Sequence, residues 1–494
     1  MSQVSIDLSA SFKAYDVRGM VGETITNESV CAVGAAFVDV LGLCGARVLV
    51  GGDMRPSSKE FAASFAAGAT SRGAAVTDLA LISTDMLYYA SGTMDAPGVV
   101  FTASHNPAGY NGMKMTRAGA VPLSADTGLD EIRRVAQEYL DTGEFSAHDG
   151  AQVHQERIGQ VAEGTEPVEK RERSQPAHTS ADVLTEYSAY LRSLVDLTGI
   201  RPLKMVVDAA NGMAGMTTPA VLGDLRLAGL PLEIVPLYFE LDGTFPNHPA
   251  NPLEPENLRD LQQAVLEHGA DIGLAFDGDA DRCFVIDQLG EAVSPSAITA
   301  LVARREIARA KAAGEDTPVI IHNLITSRAV PELVRRSGGR AVETRVGHSF
   351  IKAVMAEESA VFGGEHSAHY YFRDFFNADT GMLAAMHVLA ALGEQQRGLQ
   401  DLVAEYNPYF ASGEINSEVE DKAAAMEDAV AAFADRDVAV SRMDGATVSA
   451  ADGSWWFNLR PSNTEPFLRY NGEAHSQQLM ESVRDEVLGI IDAG

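Results

Sequence analysis

At 494 residues the chain is too long for one hydrophobic core, and its length predicts about three or four domains. Hydrophobic residues at 46% and charged residues at 22% are ordinary globular chemistry, and no apolar run reaches the ~20 residues of a membrane span. The net charge of −31 argues against nucleic acid or anionic membrane as partners, and any site for an anionic ligand must gather its cations locally.

Residues Met1 to Ala10 mix Ser, Gln and Asp with single aliphatics and lack a charged-then-apolar secretion signal. Cys31, Cys44 and Cys283 form no CxxC pair and leave an odd one over, which reads as a reduced, cytoplasmic protein with buried thiols. Three segments then share one plan. Apolar runs of strand type open them at Arg47–Asp53, Lys204–Gly212 and Pro318–Asn323, and each run ends in a polar turn and leads into a helical stretch. Later in each segment a second run closes on Phe and meets a polar loop. Those loops start at Phe101, Phe276 and Phe362. Apolar strands alternating with helices predict α/β units, whose working loops sit past the carboxyl ends of strands.

Between the first and second segments, Thr142 to Ser180 is polar and aperiodic, which predicts a linker before a helix over Ala181–Thr198. Past the third, an Ala-rich acidic helix (Glu420 to Arg436) precedes strands at Trp455–Arg460 and Phe467–Tyr470, a small α+β domain. The boundaries read as 1–145 for the first α/β domain, 146–180 for the linker, 181–290 and 291–408 for the next two, and 409–494 for the last.

Four loops carry chemistry. Thr102-Ala-Ser-His-Asn-Pro-Ala-Gly-Tyr-Asn-Gly-Met-Lys114 sets Ser104 at a strand-to-loop junction, where it can accept a phosphoryl group with His105 or Lys114 nearby; the bland alternative is a helix cap beside a solvated amine. Asp277-Gly-Asp-Ala-Asp-Arg282 offers three hard oxygen ligands at alternate positions, suited to Mg²⁺, against a plain acidic turn. It is not an EF-hand, since Arg282 stands where Gly is required and Gln288 where the bidentate Glu belongs. Arg460-Pro-Ser-Asn-Thr-Glu-Pro466, with Arg469 beyond it, packs guanidinium, hydroxyl and amide donors into one turn, as phosphate recognition needs, unless it is merely a capped hairpin. Gly363-Gly-Glu-His-Ser-Ala-His369 puts an acceptor beside hydroxyl and imidazole donors, which suits sugar hydroxyls. Tyr15-Asp-Val-Arg-Gly19 and Arg345-Val-Gly-His348 are weak signals individually. Gly51-Gly52 makes no dinucleotide fingerprint.

Together these loops, in this order from Tyr15 to Thr464, resemble the α-D-phosphohexomutase family in its phosphomannomutase/phosphoglucomutase branch. The resemblance implies three similar α/β domains with mixed sheets around a central cleft, plus a smaller, mobile C-terminal α+β domain. It implies that Ser104 is phosphorylated at rest and that Asp277, Asp279, Asp281 and the phosphoserine hold Mg²⁺. Glu365, Ser367 and His369 match the residues toward the sugar. Arg460, Ser462, Asn463, Thr464 and Arg469 match the clamp on the non-reacting phosphate. Tyr15, Arg18, His105, Lys114, Arg282 and His348 match the ring around the reacting phosphate, with Lys114 before His348 for proton transfer.

The implied reaction moves a phosphoryl group between C1 and C6 of a hexose through bound hexose 1,6-bisphosphate, with mannose phosphates ahead of glucose and glucosamine phosphates. A serine/metal phosphatase and a silent sugar-phosphate-binding protein are the competitors from other classes. Partners are hexose phosphates only, in a cytoplasmic monomer or weak homodimer. His366 where many mixed-specificity mutases carry Met, Ala368 where Gly is usual, and the long stretch from Thr142 to Ser180 depart from the family pattern.

Overall fold

The computed structural model describes residues 6–143, 179–462 and 467–492, save the side chains of residues 348 and 349. The chain divides into two compact units, Met1–Ile286 with Asp374–Met386, and Asp287–Arg373 with His387–Gly494.

In the first unit, strands β1 (Val17–Met20), β2 (Arg47–Gly52), β3 (Ala75–Leu81), β4 (Gly98–Phe101), β5 (Tyr110–Thr116) and β6 (Thr179–Ser180) form one sheet in the order β1-β5-β4-β2-β3-β6. β2 runs parallel to β3 and β4, and β4 antiparallel to β5. Next come β7 (Leu203–Asp208), β8 (Leu232–Leu237), β9 (Ile272–Phe276) and β10 (Cys283–Asp287), in the order β8-β7-β9-β10. β7 runs parallel to both of its neighbours. In the second unit β11 (Val319–Asn323), β12 (Arg340–Thr344), β13 (Phe362–Gly364) and β14 (Tyr370–Phe372) lie in the order β12-β11-β13-β14. β11 is parallel to β12 and β13, and β13 is antiparallel to β14.

One strand order therefore recurs three times, as β3-β2-β4-β5, β8-β7-β9-β10 and β12-β11-β13-β14. The Ser104, Asp277 and Glu365 loops each join the third and fourth strands of their repeat. β4, β9 and β11 are buried along their whole length, as continuous apolar strands of parallel sheets should be.

Helices α1 (Asn27–Leu41) and α2 (Ser58–Ser71) cover the first sheet. They touch through two glycines: a Cβ on Gly34 would lie 2.3 Å from the Phe65 carbonyl oxygen, and one on Gly68 2.0 Å from that of Cys31. Beneath them Phe37, Phe65 and Phe101 pack edge to face, with centroids 5.5 and 6.0 Å apart. The last domain is an antiparallel sheet of β15 (Phe410–Glu418), β16 (Val438–Ser441), β17 (Ala446–Ala450), β18 (Trp455–Pro461) and β19 (Phe467–Ala474), in the order β15-β19-β18-β17-β16. Its core gathers Phe433, Trp455, Phe457 and Tyr470 with Val483 and Val487 from the final helix, Gln477–Ile491.

Several boundaries differ from the sequence reading. The helix expected over Ala181–Thr198 spans Leu184–Leu194, because the Asp182 carboxylate takes the Leu184 N–H at 3.0 Å and Val195 turns extended. The one expected over Glu420–Arg436 spans Lys422–Ala432, with Asp421 capping the amides of Ala423 and Ala424. Helix α4 (Leu129–Thr142) takes up Thr142, and Thr179 and Ser180 pair with Thr77 and Asp78 of β3, so both ends of the expected linker are structured. The rest of that stretch, 144–178, lies outside the described residues. Phe362 opens its strand rather than closing it, since the pairing of β13 with β11 runs through the two glycines after it. Of the three free thiols only Cys283 is buried; Cys31 is half-buried and Cys44 exposed. Among the described residues, no helix is long and apolar enough to cross a membrane.

Candidate active site

Ser104 leaves β4 with φ 49°, a left-handed conformation uncommon for a residue with a side chain. Its amide donates to Thr102 Oγ1 at 3.0 Å, and its hydroxyl donates to Asp277 Oδ2 at 2.7 Å. The two loops meet without clearance. A Cβ on Gly278 would come within 2.5 Å of the Ser104 carbonyl oxygen, so only glycine fits there.

Asp277, Asp279 and Asp281 are buried, and one carboxylate oxygen from each lies within 4.8 Å of the others. Arg282 holds Asp277 through Nη2 at 2.8 Å, Nε at 3.0 Å and its backbone N–H at 3.1 Å. Lys114 Nζ bridges Asp279 Oδ2 at 2.7 Å and Asp281 Oδ2 at 2.5 Å. Thr84, at the start of α3 (Thr84–Met94), donates its hydroxyl to Asp279 Oδ2 at 2.6 Å. Asp279 Oδ1 is buried with no hydrogen-bond partner. Three carboxylates thus face two directly bonded cations, and burial, despite the pull of Arg282, pushes the Asp277 carboxyl up to about 7. An orphaned oxygen within a set of hard, mutually repelling oxygens fits a small divalent cation such as Mg²⁺.

The ionisable groups around this cluster are sorted by burial and charge. Burial works against the Lys114 ammonium, but Asp279 and Asp281 outweigh it and hold its affinity for the proton well above the ordinary value. His105 goes the other way: burial, then Arg282 and Arg18, drive it well below the usual imidazole range. It is neutral, and its Nδ1 accepts from Arg282 Nη2 at 2.5 Å, because a guanidinium only donates. Arg18, on β1, donates to Asp16 Oδ2 at 2.7 Å and Asn106 Oδ1 at 2.8 Å. Tyr15 sits half-buried in the bend before β1. Asp85, one residue past Thr84, is buried and pushed up to about 6, with Ser83, Tyr187 and Thr380 donating to it.

In the second unit the loop after β13 is built around Glu365, which is buried. Tyr371 donates its hydroxyl to Oε1, while Oε2 accepts from Ser367 Oγ at 3.1 Å and Asn323 Nδ2 at 3.2 Å. Ser367 Oγ lies 3.3 Å from His369 Nδ1. His366 is half-buried, with its Nδ1 3.3 Å from Asn323 Nδ2, and burial followed by Arg460 pushes it down to about 3. It is therefore a neutral acceptor rather than a cation.

In the same unit Arg460 and Arg469 stand opposite each other in the β18–β19 pair. Glu414 of β15 reaches both, 3.7 Å from Arg460 Nη2 and 3.4 Å from Arg469 Nη1. Ser462 is buried, and its carbonyl accepts from Lys422 Nζ at 2.9 Å. Asn463, Thr464 and the side chain of His348 lie outside the described residues.

Ser104, His105, Lys114, Arg18, Arg282 and the three aspartates thus form one network. Glu365, Ser367 and His369 form another, and Arg460 and Arg469 a pair. The sequence reading missed Asn106, Thr84 and Arg55 around the first network, and Tyr371, Lys422 and Glu414 in the second unit. Thr84, Arg55, Lys422 and Glu414 are single residues far along the chain from the loops they hold, whereas Asn106 lies two residues past Ser104 and Tyr371 six past Glu365. Arg55 past β2, Asn106 past β4 and Asn323 at the end of β11 do stand where an α/β site is expected, past the carboxyl ends of strands.

Comparison with known proteins agrees with this geometry. Four family models match in order: Phosphoglucomutase/phosphomannomutase alpha/beta/alpha domain I over residues 9–142, domain II over 185–290, domain III over 294–409 and the C-terminal domain over 414–490. A phosphomannomutase of Salmonella montevideo is 36% identical, with 98% of this chain and 99% of that protein covered. A phosphohexose mutase of Xanthomonas campestris is 37% identical, covering 97% and 99%. A crystal structure of a phosphoglucomutase/phosphomannomutase family protein from Burkholderia thailandensis superposes with TM-score 0.79 at 27% identity, over 98% of this chain and 97% of that one. With four domain models in order and full-length relatives above 30% identity, this chain belongs to the phosphoglucomutase/phosphomannomutase family.

Proposed function

We propose that the protein is a phosphomannomutase. It interconverts mannose 6-phosphate and mannose 1-phosphate through phospho-Ser104 and a bound hexose 1,6-bisphosphate, with glucose phosphates as further substrates. The observation that carries the reading is the buried Ser104 hydroxyl bonded at 2.7 Å to Asp277 of the three-carboxylate loop, with Arg282 and Lys114 as the local cations that an acidic chain must gather to handle phosphate. The mannose preference rests on the names of the relatives and on the Gly364-Glu-His-Ser-Ala-His369 loop.

In the forward half-reaction the P–O bond to Ser104 breaks as one forms to the free sugar hydroxyl. In the second half-reaction Ser104 takes the other phosphate back. Arg282 and Arg18 neutralise charge spreading over the transferring group. Lys114, held charged by its two aspartates, serves as cation, and proton transfer falls to Lys114 first and His348 second. His105, neutral and engaged through Nδ1, orients Arg282. Mg²⁺, when bound by Asp277, Asp279, Asp281 and the oxygen on Ser104, supplies Lewis-acid stabilisation of the phosphoryl oxygens. Glu365, Ser367 and His369 grip the sugar hydroxyls. Arg460, Arg469, Ser462, Asn463 and Thr464 bind the phosphate that does not react, and Tyr15 lines the reacting end. The protein acts in the cytoplasm, as a monomer or weak homodimer, without nucleic acid or membrane.

Coupled-assay turnover of mannose, glucose and glucosamine 1-phosphates, each with Mg²⁺ and a trace of hexose 1,6-bisphosphate, tests the reading. The expected result is a kcat/KM for mannose 1-phosphate equal to or above that for glucose 1-phosphate. Turnover of glucose or glucosamine 1-phosphate alone would reassign the substrate, and no turnover would overturn the enzyme. In the same assay Arg460→Ala should raise KM about tenfold or more while leaving kcat within a few-fold, because it removes uniform binding of a non-reacting phosphate. An unchanged KM would move the clamp elsewhere.

A further inference from the structure

Arg55 takes no part in the chemistry assigned above, yet it is the side chain most fully committed to the loop that carries Ser104. It follows β2 in the turn Asp53-Met-Arg-Pro56 and is 2% exposed. Its Nη1 donates to the carbonyls of Pro107 at 2.9 Å and Tyr110 at 2.8 Å. Its Nη2 donates to those of Ser104 at 2.9 Å and Asn106 at 2.7 Å. The two terminal nitrogens carry four hydrogens, and each has its own carbonyl. Nε lies 3.4 Å from Asp53 Oδ2, and Asp53 is itself fixed, accepting from the Arg55 amide at 2.9 Å and from Ser58 Oγ at 2.6 Å. The Phe245 ring covers one face of the guanidinium, 5.0 Å from its centroid, and Gly243 packs so closely that a Cβ there would sit 2.5 Å from Arg55 Cα.

We infer that Arg55 is a positioning residue for phosphoryl transfer, its guanidinium fixing the left-handed backbone at Ser104 by binding the Ser104, Asn106, Pro107 and Tyr110 carbonyls. The inference rests on the mutase reading for what the placement accomplishes. The Ser104 and Asn106 carbonyls lie in the turn between β4 and β5, outside the strand ladder, and Ser104 at φ 49° persists only while its surroundings over-determine it. Four carbonyls bound to one rigid planar fork meet that requirement. Lysine, a point charge with three donors on a flexible stem, cannot reproduce it. Arg55 also reaches the reacting serine solely through the backbone, so its loss misplaces the Ser104 hydroxyl against Asp277 without touching the sugar or the distal phosphate.

The test is Arg55→Lys in the full chain, with kcat and KM for the preferred hexose 1-phosphate, phosphate on Ser104 by intact mass, and amide hydrogen exchange over 103–112. The expected result is kcat down about 10²-fold with KM within about threefold, as for a reacting group displaced by roughly 1 Å, together with faster exchange in that segment alone. A folded variant with kcat within about twofold of wild type and unchanged exchange would overturn the inference. If Arg55→Lys does not fold, Phe245→Leu keeps the guanidinium and removes its cover. It should lower kcat several-fold and loosen the same segment, and an unchanged kcat and exchange would sink the idea. A wild-type protein that turns over no hexose phosphate and never carries phosphate on Ser104 defeats the mutase reading instead. The exchange measurement still decides whether Arg55 holds the loop.

Discussion

Ser104→Ala should lower hexose 1-phosphate turnover by about four orders of magnitude or more, since it removes the atom to which the phosphoryl group bonds. The fold should survive the change. One oxygen is deleted from a buried side chain whose backbone conformation is set by neighbouring groups rather than by the hydroxyl, and alanine suffers no more than serine at φ 49°. Asp277 loses the Ser104 hydrogen bond but keeps three from Arg282. The cost in stability is therefore about 1 kcal/mol, the ordinary net worth of one hydrogen bond. Two readouts separate chemistry from folding: intact mass should show no phosphoryl group on the variant after incubation with hexose 1,6-bisphosphate, while its thermal transition stays within a few degrees of wild type. Near-normal turnover with an unphosphorylated chain would end the phosphoserine mechanism.

The repeat was readable from sequence because hydrophobicity alone encodes it. Ile272–Phe276 is a strand that closes on Phe276 as expected, an apolar run set between Asp271 and Asp277. The loops between third and fourth strands were readable for a related reason. Each packs charged or hydroxyl residues where a buried sheet would otherwise continue. Helix ends were less legible, because Asp182 and Asp421 cap from positions that the apolar period does not mark. Partners across sequence distance were not legible at all. Arg55 lies 49 residues before Ser104 and Thr84 lies 195 before Asp279, and neither residue type in its local setting announces what it will hold. His366 illustrates a different gap. Sequence marks it only as a departure from the family pattern, and the structure supplies its state: burial and the nearby Arg460 make it a neutral acceptor for the Asn323 amide.

Asp279→Asn should raise the Mg²⁺ concentration needed for half-maximal activity at least about tenfold and lower kcat by about 10³-fold at saturating Mg²⁺. Asp277 is spoken for by Arg282, so its replacement would disturb an ion pair as well as a ligand. Asp279 has one oxygen bonded to Lys114 and Thr84 and the other buried without a partner. Burial and the neighbouring Asp281 work to raise its proton affinity, but Lys114 and the Thr84 hydroxyl together leave it lowered, so the group is charged at neutral pH and its neutral isostere removes a full charge. Asparagine also turns one acceptor into a donor. Facing Lys114 or Thr84, that amide nitrogen would meet another donor; turned the other way, it occupies the orphaned corner a cation needs. Calorimetric titration of the dephosphorylated protein with Mg²⁺ reads the site apart from turnover, and the variant should show weakened or absent binding heat. An unchanged titration would remove Asp279 from the ligand set and leave the orphaned oxygen without a cation to explain it.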